Sequence, residues 1–293
     1  MPSVDGREGE PQLLRVSYHS KATNESREFL VYLPIGYQTE PSRLWPVILY
    51  LHGGGERGDG RGELDYVLLN GPLHEAWICH RDLPFVMIAP QLPVFDQEIQ
   101  LQARGGAPMP IRPPKPSGPA TAADRPTQPM VRAPDTTPHP VFNVTEAWGD
   151  DGFPGGWQLC NEDLLEMLDM VLHDYRVDQD RVYLTGLSYG GHGTWHMAMT
   201  HPHLWAAIAP MCGDGKSAMA GELAKRQLPI WMFHGGRDTL NKPQWAYDMA
   251  NALEAAGHQS VRFTVHEDCG HNCWTRAYGG QDLYDWFLRY KRS

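Results

Sequence analysis

Short runs of apolar and β-branched residues recur along the chain, separated by longer stretches whose apolar positions return every three or four residues. The runs read as eight strands: Leu13–Ser20, Arg27–Pro34, Val47–His52, Phe85–Pro90, Arg181–Leu187, Ala206–Met211, Pro229–His234 and Val261–His266. The first two have no helical stretch between them and read as an antiparallel edge. Helices are predicted near Leu64–Ile78, Asn161–Tyr175, Gly191–Thr200, Ser217–Arg226, Pro243–Ala256 and Gln281–Lys291, each long enough for a crossover between parallel strands. Leu164, Leu165, Leu168, Val171 and Leu172 follow the period of one buried helix face. Strands alternating with helices in this way predict an α/β domain, a mostly parallel sheet with helices on both faces.

One stretch breaks the rhythm. Residues 92–156 hold 13 of the 25 prolines, among them Pro113, Pro114, Pro116 and Pro119, with little apolar periodicity. Proline removes backbone donors and favours extended, solvated chain, so this stretch is expected to be an insertion after strand four within a single domain spanning 1–293. Pro110, Pro113 and Pro116 also have the P-x-x-P spacing that SH3- or WW-like partners read, which leaves a non-catalytic binding module as an alternative. No internal repeat is visible.

Composition narrows the classes. With 41% hydrophobic and 20% charged residues, the 293-residue chain can bury a large core. A net charge of −10 argues against a nucleic-acid partner, which needs clustered Lys and Arg. No run approaches the roughly 18 apolar residues of a membrane span. Residues Met1 to Glu8 lack an apolar signal region, so a cytoplasmic location is expected, with secretion open if a leader has been trimmed. The five cysteines are scattered and are expected to be reduced thiols. Cys269 and Cys273 lack a second ligand pair at zinc spacing, and His192, His196, His201 and His203 lack a completing carboxylate or cysteine. No metal is expected.

Four segments carry candidate chemistry. Gly186-Leu187-Ser188-Tyr189-Gly190 matches G-x-S-x-G between a strand and a helix, where a tight turn lifts a serine hydroxyl above a sheet. Ser188 is the candidate nucleophile. His52-Gly53-Gly54-Gly55-Glu56-Arg57-Gly58 follows strand three and lacks the Gly-Lys-Ser/Thr ending of a phosphate loop. Its Gly54 N–H, with that of Tyr189 and with Gly55 as a third, is the candidate oxyanion hole. A serine hydroxyl needs a base, and the base needs an orienting carboxylate. The order Ser…Asp…His selects Asp238, just past strand seven, and His271, just past strand eight. Asp214 is an alternative acid; His258 and His266 are alternative bases. Trp157 and Trp274, with Trp148 and Tyr189, could line an aromatic substrate pocket or be core and lid. Arg57 could meet a substrate carboxylate or pair with Glu56 or Asp59.

These segments, with Ala89-Pro90-Gln91, Asp180-Arg181-Val182-Tyr183-Leu184-Thr185 and Gly270-His271-Asn272-Cys273-Trp274-Thr275-Arg276-Ala277-Tyr278, resemble a bacterial branch of the α/β hydrolases. It is the predicted peptidase or carboxylesterase group, related to polyhydroxybutyrate depolymerases, feruloyl esterases and dienelactone hydrolases. The resemblance implies the α/β-hydrolase fold, a Ser188/Asp238/His271 triad, and hydrolysis of carboxylic esters through an acyl-enzyme without metal or organic cofactor. The substrate would be a small-molecule or oligomeric ester, with aryl or hydroxycinnamoyl esters suggested by the aromatics. A serine peptidase of the same fold is the alternative within the class. The insertion departs from the group's pattern and leaves substrate choice open; oligomeric state is not readable.

Overall fold

A computed structural model describes residues 9–95 and 156–292. The proline-rich stretch expected over 92–156, with its P-x-x-P spacing and Trp148, lies almost wholly outside the described residues. All eight expected strands are present: β1 (Gln12–Ser20), β2 (Glu25–Leu33), β3 (Trp45–Leu51), β4 (Val86–Ala89), β5 (Val177–Leu187), β6 (Ala207–Met211), β7 (Ile230–Gly235) and β8 (Val261–His266). They form one sheet in the order β1-β2-β4-β3-β5-β6-β7-β8. β1 pairs antiparallel with β2, and β2 antiparallel with β4. Every other neighbouring pair is parallel.

The sequence order reverses between β3 and β5: from β3 the chain runs to β4 on one side, and from β5 onward to the other. Such a reversal splays the connecting segments at the strands' carboxyl ends and leaves a crevice there. The glycine-rich loop leaves β3 and Ser188 follows β5, so both candidate segments border that crevice.

Side chains alternate between the sheet's faces along each buried strand. On β3, Val47, Leu49 and Leu51 enter one apolar layer, whereas Ile48 and Tyr50 enter the other. The first layer is completed by helix α1 (Asn161–Asp174) through Leu164, Met167, Leu168 and Val171, by α2 (Tyr189–Thr200) through Trp195, Met197 and Ala198, and by α4 (Pro243–Ala255) through Ala246, Met249 and Leu253. Between the last two runs α3 (Ala220–Arg226), which contributes Leu223. The second layer holds Phe85, Tyr183 and Trp231 against α6 (Asp282–Phe287), which follows a short α5 (Trp274–Gly279). No helix among the described residues is long and apolar enough to cross a membrane.

The predicted helix Leu64–Ile78 is a correction. The segment is a 3-10 turn, Leu64–Leu69, followed by a single π-helical turn, His74–Ile78. Pro72 lacks the N–H a continuous helix would need, and Gly71 before it has φ +91°. A Cβ at Gly71 would lie 2.2 Å from the Tyr50 ring, so the chain breaks where the aromatic rises. The final helix is also shorter than Gln281–Lys291.

Candidate active site

The serine sits on strained backbone. Ser188 has φ 52° and ψ −116°, a conformation rare for a residue with a side chain, and it links the last residue of β5 to the first of α2. Its N–H donates to Met211 O of β6 at 2.9 Å, and its carbonyl accepts the His192 N–H at 3.1 Å. The flanking glycines are required by contact: a Cβ at Gly190 would lie 1.8 Å from Leu51 O, and one at Gly186 2.3 Å from Gly190 O. Packing of β3, β5 and α2 therefore holds the turn and aims Oγ outward.

His271 Nε2 lies 2.9 Å from Ser188 Oγ, and His271 Nδ1 lies 2.7 Å from Asp238 Oδ2. Asp238 Oδ1 accepts the N–H groups of Leu240 at 2.9 Å and Asn241 at 3.0 Å. The turn after β7 thus folds around the carboxylate and leaves Oδ2 to face the imidazole. Burial alone would raise the Asp238 pKa; hydrogen bonds from His234 and His271 outweigh it and hold the carboxyl below the usual carboxylate range.

Sequence reasoning did not single out His234. It is fully buried, and its Nε2 lies 3.3 Å from Asp238 Oδ2 and 3.1 Å from Asn241 O. Burial opposes its charge, but the hydrogen bond to Asp238 and the negative charge of a Cys212 thiolate raise its pKa to about 9. The carboxylate therefore has two imidazole partners. The signal was its position, four residues before Asp238 at the end of a buried strand.

The alternatives sit elsewhere. Asp214 is buried, which raises its pKa to about 7, and its N–H donates to His192 Nδ1 at 2.9 Å. His266 is buried within β8, and His258 Nδ1 accepts the Ser260 N–H. His201 contacts Asn161 Oδ1 at 3.0 Å, apart from the site. Two described groups have metal-like spacing, His74/Glu75/Cys79 and Cys212/His234/Asp238. In the first, Glu75 is bound by Arg81 at 3.1 Å; in the second, Asp238 is committed to its two histidines.

The glycine-rich loop faces the serine: a Cβ at Gly53 would lie 3.5 Å from Ser188 Cβ, and one at Gly54 3.3 Å from the Tyr189 ring. Gly54 and Tyr189, the two candidate oxyanion donors, are thus neighbours, and Tyr189 occupies the first position of α2, where an N–H has no intrahelical acceptor. The loop is braced from behind. His52 Nδ1 bonds Gly53 O at 2.6 Å, which fixes the tautomer so that Nε2 accepts the Leu92 N–H at 2.9 Å. Gln91 donates to Glu56 O and Glu63 O, each at 2.8 Å, and accepts the Gly60 N–H at 2.8 Å. Arg27 donates to Gly58 O and Gln91 O.

Of the candidate substrate residues, Trp157 is 1% exposed, stands edge-on to the His52 ring and donates to His52 O, so it supports the loop from the core. Arg57 folds back, its Nε donating to Gly54 O at 2.8 Å and its guanidinium lying 5.0 Å from the centre of the Tyr189 ring. Trp274 is partly exposed, edge-on to His271 with ring centres 5.1 Å apart, and donates to Asn70 Oδ1 at 3.1 Å. Asn70 in turn donates to the buried Glu56 carboxylate at 2.7 Å, joining the His271 turn to the glycine-rich loop.

Comparison with known proteins finds likenesses among hydrolases. The model of the prolyl oligopeptidase family matches residues 145–220, a span that includes Ser188. A curated relative, the bifunctional acetylxylan esterase/xylanase XynS20E of Neocallimastix patriciarum, is 34% identical over 75 residues, 26% of this chain and 11% of that protein. A thermostable esterase superposes with TM-score 0.60 at 22% identity, covering 96% of this chain and 63% of its own. A ferulic acid esterase superposes with TM-score 0.56 at 17% identity, covering 95% and 96%. This chain therefore spans only a small part of the curated relative and under two thirds of the first structure. With the sheet order, these likenesses show an α/β-hydrolase fold.

Proposed function

We propose that the protein is a serine hydrolase that cleaves carboxylic esters through an acyl-enzyme on Ser188. One observation carries the reading: a strained strand-to-helix turn presents Ser188 Oγ 2.9 Å from His271 Nε2, whose other nitrogen is held by Asp238 at 2.7 Å. His271 takes the Oγ proton as Ser188 attacks the carbonyl carbon; the N–H groups of Gly54 and Tyr189 receive the developing oxyanion. His271 then protonates the leaving alkoxide and next activates water on the acyl-enzyme. Asp238 orients the imidazole and stabilises its cation. Base, nucleophile and oxyanion donors all come from the chain.

Among the described residues, Trp274 stands edge-on to His271 and the Tyr189 ring lies beside Gly54, which supports aryl or hydroxycinnamoyl esters as substrates, in keeping with the names of the esterases that share the fold. A peptidase reading draws on the family model and on a putative dipeptidyl aminopeptidase IV of Bacteroides ovatus that shares the fold at 13% identity. The experiment is a panel of p-nitrophenyl, feruloyl and peptide substrates run on the protein and on Ser188→Ala. Ester turnover should fall by about 10⁶ in the variant. Peptide cleavage exceeding ester cleavage favours the second reading, and full ester turnover by Ser188→Ala defeats both.

A further inference from the structure

Two of the five cysteines lie behind the acid and base. Cys212 follows the last residue of β6 with φ 47°, and Cys273 precedes α5, two residues after His271. Their sulfurs are 3.0 Å apart, both residues are buried, and 61 positions of chain separate them. No other cysteine pair among the described residues makes such a contact, and all five are free thiols in the structure.

The two thiols close a circuit around the site. The Cys212 carbonyl accepts a hydrogen bond from the Asn241 side-chain amide. Asn241 N–H bonds Asp238 Oδ1, Asp238 Oδ2 bonds His271 Nδ1, and two residues later the chain reaches Cys273. Every link is covalent or a hydrogen bond, the sulfur pair included. The sulfurs have only to move closer by about an ångström to reach a disulfide bond length of roughly 2.05 Å.

We propose that Cys212 and Cys273 are a modification site, an intrachain disulfide that forms under a peroxide and staples the end of β6 to the His271 turn. In the balanced step, the Cys212 thiolate attacks one peroxide oxygen and breaks the O–O bond, giving a sulfenic acid and one water. The Cys273 sulfur then attacks the Cys212 sulfur and displaces the hydroxyl as a second water. Two thiols are oxidised to one disulfide, and one hydrogen peroxide is reduced to two waters. The assignment of Cys212 as the attacking sulfur has support: burial raises its pKa, but the hydrogen bond from Cys273 and the charge of His234 reverse this and bring it to about 7. Burial pushes the Cys273 and Cys269 thiols up. A thiolate, not a thiol, reacts with peroxide.

A bond closing so long a loop removes conformations chiefly from the unfolded chain, so it should raise the melting temperature while leaving the site's hydrogen bonds in place. The test uses the purified full chain, reduced, then treated with hydrogen peroxide, denatured, alkylated and mapped by peptide mass spectrometry. The expected product is one cross-linked peptide pair joining Cys212 to Cys273, lighter by two hydrogens, with Cys79, Cys160 and Cys269 recovered as alkylated thiols or capped monomers. Tm should rise by about 5–15 °C on oxidation. Cys273→Ala, treated identically, should show neither the cross-link nor the rise. Recovery of alkylated Cys212 and Cys273 from peroxide-treated protein overturns the proposal, as does a cross-link through Cys269 or an oxidised form that melts no higher than the reduced one. These readouts need no substrate, so they succeed or fail apart from the ester reading.

Discussion

The two walls of the crevice hold their functional atoms by different physics. On the acid–base wall, at the ends of β7 and β8, Asp238, His234 and His271 are fixed by ionisable groups: one buried carboxylate between two imidazoles. On the proposed oxyanion wall, at the end of β3, His52, Gln91, Arg27 and Trp157 hold the loop mainly through hydrogen bonds to backbone carbonyls and amides. The first wall should respond to pH and to single charge changes. The second should respond to loss of hydrogen-bonding geometry and less to pH, its buried carboxylate being Glu56, whose pKa burial raises.

The largest contrast is expected at Asp238. Asp238→Asn keeps shape but removes the acceptor that fixes the His271 tautomer, and kcat should fall by about 10⁴ with little change in KM. A loss under tenfold would show that Asp238 is not the orienting acid. On the opposite wall, Gln91→Ala strips hydrogen bonds from Glu56 O, Glu63 O and Gly60 N–H without touching any ionisable group. Turnover should drop by about 10–10², less than the 10²–10³ typical of deleting a donor outright, and stability by about 2–3 kcal/mol. Equal proportional loss at every pH would mark it as geometric; a shifted pH profile would blur the two walls into one.

The smallest and most diagnostic effect concerns His234. Its folded pKa, about 9, lies above the ordinary value of 6.5, so its stabilisation is full below about pH 6.5 and is lost as pH rises to about 9. Asp238 works oppositely, its contribution present above its ordinary pKa and lost only in strong acid. Thermal melts should therefore show wild-type Tm declining across that alkaline window, with His234→Asn less stable below it and flatter through it. Parallel curves for the two proteins would remove the charged His234–Asp238 pair from the account.

Much of the proposed acid–base wall was legible in the chain, because the residues that meet there, Ser188, Asp238 and His271, each follow a strand end that leaves local marks. Gly186 and Gly190 flank Ser188 since backbone passes where their Cβ atoms would be, and Asp238 and His271 follow apolar runs whose period identifies strands. The bracing was not legible. His234 carries one local mark, its place four residues before Asp238, whereas Asn70 and Gln91 act through partners up to 204 and 35 positions away that nothing in their local pattern reveals. Trp157 and Arg57 show the same limit: their chemistry suggested ligand contact, whereas tertiary packing turns them onto the loop itself. Leu64–Ile78 failed for a local reason, since Gly71-Pro72 outweighs the surrounding apolar spacing once Tyr50 occupies the space above it.

The proposed acyl-enzyme on Ser188 is covalent and can be trapped. Acid quenching during turnover of p-nitrophenyl acetate, followed by peptide mass spectrometry, should find an acetyl group on Ser188 alone, at higher occupancy in a variant whose deacylation is slowed. Steady turnover with no acylated Ser188, or with the acyl group on another residue, would contradict the account.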